Sequence, residues 1–153
     1  MAIAQAVCNT FKRDLLKGFH DFANGGSAFK IALFTSSANL DATTSNYSNT
    51  AETQNAGGTS AYSAGGLALQ NQSVTGSTTA TTAFVDWSTD PEWTSASFTA
   101  RGAMIYNTTT DGGSNTTDSV CILNFGSDFT ATNGTFKVQF PSPGTGTAIL
   151  RLS

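Results

Sequence analysis

The chain has 153 residues and only 11% of them are charged, less than half of the ~25% usual in globular proteins. Seven Lys and Arg stand against ten Asp and Glu, while Thr, Ser and Asn make up about a third of the chain. That excludes a helical bundle or coiled coil, which needs Glu, Lys, Arg, Ala and Leu in quantity, and a nucleic-acid binder, which needs a basic stripe to neutralise phosphates.

A hydrophobic share of 39% with eleven Phe argues against disorder. Thr and Phe suit a pleated surface and Gly suits turns, so the composition reads as one β domain. The first element is nevertheless a helix. Val7, Phe11, Leu15, Phe19 and Phe22 recur at helical spacing and predict a helix over residues 4–23, stopped at Asn24-Gly25-Gly26. The segment Met1 to Val7 lacks a basic start and is not read as a signal peptide. No apolar run in the chain is long enough to span a bilayer.

Strands are expected from there on. Phe29 to Phe34 alternates, with Phe29, Ile31 and Leu33 on one face. A polar arm then covers residues 35–66, with Tyr47 and Tyr62 as its aromatics; so long a loop is usually functional or hides an edge strand. Short strands are predicted at Leu67 to Gln70 and at Thr82 to Trp87, before the turn signal Asp90-Pro91. A long strand follows from Ser97 to Tyr106, then a hairpin loop at Asp111 to Asn115. Val120 to Leu123 is apolar on both faces, as in a central strand; Gly126 to Gly134 reads as a connection. Phe136, Val138 and Phe140 alternate with Lys137 and Gln139, and Ala148 to Leu152 closes the chain. Short strands at hairpin-like intervals predict a mainly β protein, an antiparallel β-sandwich or jelly-roll-like fold with one N-terminal helix.

Chemistry is sparse. The single histidine, His20, sits near the predicted helix end without a nucleophile in reach. Cys8 and Cys121 are expected to be core thiols, one in the helix and one in a strand. Asp86, Asp90 and Glu92 cluster near a turn but lack the ligand alternation of a calcium loop. Gly57-Gly58, Gly65-Gly66 and Gly112-Gly113 lack the Lys and the strand–helix setting of a P-loop. No catalytic residue, metal or cofactor is therefore expected. Trp87 is assigned to the core and Trp93 to an exposed ring, able with Tyr47 and Tyr62 to stack on sugars. Arg101 lies mid-strand among apolar residues and needs a partner; a cross-strand pair with Asp86 is predicted, fixing strand register or bridging subunits.

Several stretches carry a resemblance. They are Met1 to Cys8 running into Phe11-Lys12, then Gly18-Phe19-His20-Asp21-Phe22, Phe29 to Ala38 with Leu40-Asp41, and Tyr62 to Leu67. Arg101 to Asn107, Asn124-Phe125-Gly126 and Phe136 to Pro141 complete the set. In these the chain resembles, over nearly its whole length, a family of small virion proteins of tailed bacteriophages and prophages. The resemblance implies a virion component assembled in the host cytoplasm, with no enzyme activity and no catalytic residues to carry over. The favoured expectation is a capsid decoration (cement) protein that binds the major capsid protein and copies of itself, as a homotrimer, with the 35–66 arm and the N-terminal segment as lattice contacts. The alternative is a tail, baseplate or fibre component that meets other tail proteins and host glycans. Neither nucleic acid nor a membrane is an expected partner. Tyr47, Tyr62, Trp93, Arg101 and Asp86 are the interface candidates.

Overall fold

The computed structural model describes residues 2–54, 61–76, 81–109 and 117–153; the predicted loop at 111–115 and the glycine pairs at 57–58 and 112–113 lie outside them. The fold is mainly β, with two antiparallel sheets and one short helix. In chain order the elements are β1 (Ala6–Val7), α1 (Asn9–Leu16), β2 (Phe29–Phe34), β3 (Leu67–Ala68), β4 (Gln70–Thr75), β5 (Ala83–Thr89), β6 (Glu92–Asn107), β7 (Ser119–Lys137) and β8 (Leu150–Leu152). One sheet runs β1-β7-β6-β2-β3, the other β4-β5-β8. The chain crosses from the small sheet to the large one at Asp90-Pro91, where the sequence signalled a turn. A proline there removes a ladder donor and ends β5.

The helix is far shorter than predicted, and the reason is local. Gly18 has φ 75°, a left-handed conformation that glycine adopts at little cost. Its N–H bonds the Leu15 carbonyl, and the N–H groups of Lys17 and Phe19 bond that of Asp14. The stop therefore comes at Gly18, not at Asn24-Gly25-Gly26. Val7 belongs to β1, Cys8 caps the helix, and Phe19 and Phe22 lie beyond its end. The helical spacing arose because Phe22 folds back onto Phe11, their ring centroids 5.9 Å apart.

One continuous cluster of buried residues draws on both sheets. Phe22 stacks on Phe29 of β2 at 4.5 Å, and Trp87 of β5 meets both edge-on. That aromatic contact joins the small sheet to the large one in a sandwich-like arrangement. Alternation puts Gly102, Met104 and Tyr106 on the opposite face of β6. There Ile3 packs over Gly102 and Tyr47 stacks on Tyr106 at 4.5 Å. The described residues of the 35–66 arm thus form a third, irregular layer. Ala38, Leu40, Glu52, Thr53 and Tyr62 are buried in it. These described residues pack over the sheet. Covering both faces of the large sheet explains why Val120 to Ile122 is buried throughout.

Two stretches differ from the sequence reading. β4 was not anticipated beyond Gln70, because Gln70-Asn71-Gln72-Ser73-Val74-Thr75 has a single apolar residue. Gly126 to Gly134, read as a connection, continues β7 instead. Polar Thr, Ser and Asn sit there because half of that strand faces water.

Candidate interaction surface

The residues singled out from sequence fall into three settings, and the first is internal. Glu52 is buried in the arm. Its Oε2 accepts a hydrogen bond from the Tyr47 hydroxyl at 2.6 Å, and its Oε1 accepts from the Tyr62 hydroxyl at 2.6 Å and the Gly65 N–H at 2.8 Å. The Tyr106 hydroxyl donates to the Gly65 carbonyl at 2.8 Å, and the Leu33 N–H donates to the Tyr62 oxygen at 2.8 Å. All three tyrosines of the chain therefore meet in one network. Burial, reinforced by the Glu52 carboxylate, pushes the Tyr106 hydroxyl up to about 12. The same causes push Tyr47 and Tyr62 upward as well. Each Glu52 oxygen already accepts from neighbours in its own chain, which suits a clasp better than a general base.

Trp93, read as an exposed ring, is 2% exposed, and Tyr62, offered with it as a sugar-stacking interface residue, is 4% exposed. Trp93 lies inside β6 and packs with Tyr62, Phe98 and Phe136 at 5.8–6.3 Å. The outward reading failed because two bulges interrupt β6–β7 pairing between Trp93 and Phe98 and reset the alternation. Trp87 is buried as expected.

Arg101 and Asp86 do not meet. Asp86 lies on β5 opposite Ser73, in the small sheet, and Arg101 lies on β6 in the large one. Arg101 pairs with Asp128 at 3.7 Å. The β6–β7 register jumps from Ala100↔Phe129 to Gly102↔Asn124, so residues 125–128 all bulge opposite Arg101. Gly126, at φ 83°, turns this bulge. Asp90 holds the far end of β7, accepting from the Phe140 N–H at 2.9 Å and pairing with Lys137 at 3.3 Å.

His20 is buried beyond the helix, its Nδ1 3.0 Å from the Asn107 amide nitrogen. Cys8 and Cys121 are free and buried; burial, with Cys8 as neighbour, pushes Cys121 up to about 12. Among the described residues no cluster of three His, Cys, Asp or Glu is placed to hold a metal. Nor is any helix among them long and apolar enough to cross a membrane.

Among the described residues, an outward-facing apolar groove was missed by sequence reasoning. A groove of about 270 Å³ opens between α1 and the end of the small sheet, lined by Phe11, Leu15, Phe22, Val74, Val85 and Leu150. Val74 and Leu152 at its lip are 54% and 58% exposed, and Leu16, next to Leu15 in the chain, is 90% exposed. The pairings Val74↔Val85, Val85↔Leu150 and Ala83↔Leu152 put these residues on the face that carries the core. The small sheet simply extends past the layer that would cover it. The signal in sequence was Ala148, Leu150 and Leu152 sharing one face.

No family model matches the chain, and neither the curated proteins nor the solved structures compared with it include a match.

Proposed function

We propose that the protein is a structural component of a tailed-phage particle, a decoration protein that braces the head lattice by binding the major capsid protein. The observation that carries this reading is the apolar groove between α1 and the small sheet. Its half-exposed Val74 and Leu152 suit a protein neighbour better than water. The low charge of the chain and the resemblance to small virion proteins support it. Binding rather than catalysis is the role assigned, because the buried Glu52–tyrosine constellation is occupied by its own hydrogen bonds.

The test is binding of purified protein to expanded, DNA-filled heads, read by co-sedimentation, together with copy number per virion by quantitative mass spectrometry. Saturable binding, hundreds of copies, and loss of binding in Val74→Asp and Leu152→Asp are expected. A few dozen copies with no binding to heads would place the protein in the tail and overturn this reading.

A further inference from the structure

The outer edge of β7 is open for most of its length. On that side β1 pairs only with Cys121 and Ile122, and among the described residues no strand follows. Among the described residues no strand pairs with the outer side of residues 127–137, and such an edge is a known template for strand addition. The stretch is Ser-Asp-Phe-Thr-Ala-Thr-Asn-Gly-Thr-Phe-Lys, and Phe129 in it is 50% exposed.

We infer that this edge pairs antiparallel with the same edge of a second copy, in the register that sets Asp128 opposite Lys137 of the other chain. Within residues 127–137 Asp128 and Lys137 are the two charged side chains, and in this two-fold register each meets its opposite twice over. The same register sets Phe129 against Phe136 and Thr130 against Thr135, pairs that favour cross-strand contact. Residues that face each other across a ladder must lie on the same face of their sheet. In a regular strand Asp128 and Lys137, nine apart, would lie on opposite faces. Here the register shift from Phe98↔Ala131 to Ala96↔Gly134 adds one residue to β7 and restores the match. Phe129 and Phe136 oppose Ala100 and Trp93, both buried, while Thr130 opposes Thr99 and Lys137 opposes Glu92. The Phe129–Phe136 and Thr130–Thr135 pairs thus sort into an inner set and an outer set, with the 131–134 bulge at the two-fold axis; Asp128, the last residue of the 125–128 bulge, lies beside Arg101. Asp128 and Lys137 are about half exposed, within reach of a partner. An isologous edge closes at two copies, rather than the three expected from the sequence. The pairing stands whether or not the protein is carried on a particle.

Sedimentation equilibrium of the full chain from about 1 μM to 1 mM tests it. Wild type is expected to dimerise across that range. Asp128→Lys alone sets Lys against Lys twice, and Lys137→Asp alone sets Asp against Asp twice; each weakens self-association about tenfold or more. Mixing the two variants in equal amounts sets Lys against Asp at both positions and restores a dimer. A wild type that stays monomeric, or folded variants whose mixture stays monomeric, overturns the proposal. Should either variant fail to fold, hydrogen exchange on wild type decides. Amides within 127–137 gain protection with rising concentration if the edge is paired, and equal exchange at both ends of the range refutes it.

Discussion

At the level of single residues, Glu52 is the most connected polar side chain of the arm. Removing it strands two hydroxyls and one N–H in a buried site, so Glu52→Ala is expected to cost about 3 kcal/mol in urea unfolding. The tyrosines give an independent reading. In the unfolded chain tyrosine ionises near ~10, but in the fold Tyr106 is pushed up to about 12 and Tyr47 and Tyr62 are raised too. Between those values the folded state holds protons that the unfolded state has released. Stability is therefore fully present below ~10 and is lost as pH rises through the folded values. A spectrophotometric titration should show no native tyrosinate near pH ~10, then ionisation of all three residues together with unfolding. Separate, reversible ionisation of one tyrosine near ~10 in the folded protein would contradict the network. Sequence showed Tyr47 and Tyr62 as the aromatics of the arm, but not that one carboxylate ties both to the sheet. That link joins residues far apart in sequence, and no local pattern encodes it.

Elements were legible where alternation was clean and the backbone regular. β2, the core of β6 and the apolar start of β7 appear where Phe29 to Phe34, Ser97 to Tyr106 and Val120 to Leu123 were read as strands. The errors cluster at glycines and bulges. Gly18 ended the helix early, and Gly126 bent β7 where a connection was expected. Because register shifts change which face a residue occupies, Trp93 was placed outside; Arg101 was given the wrong partner because Asp86 lies in the other sheet. Gly66 shows how tightly the arm is docked. It has φ 73°, and a Cβ there would run into the Ile31 carbonyl. Gly66→Ala is expected to destabilise by more than about 2 kcal/mol, whereas Gly146→Ala, with open space around it, should be close to neutral. Equal midpoints for the two variants in thermal unfolding would mean the arm is not held against β2.

For the molecule as a whole, the two tryptophans sit one in each sheet, Trp87 on β5 and Trp93 on β6, within one buried cluster. The sheets should therefore melt together: Trp87→Phe and Trp93→Phe, each reporting the other indole, are expected to give fluorescence midpoints that match their own far-ultraviolet dichroism. Separate midpoints would mean the small sheet unfolds on its own. The fold class was readable from composition, since few charges with much Thr and Phe leave little but β structure. The groove and the open edge were not, because each depends on where one layer stops short of another. The two cysteines have a practical consequence. Both are buried with raised thiols, so the native exterior offers maleimide reagents nothing to attack. A cysteine introduced at Phe129 or at Leu152 would then be labelled alone, without deleting a native thiol. A fluorophore at each position would make a molecular ruler, one reporting on the edge and the other on the groove, within an otherwise unmodified chain.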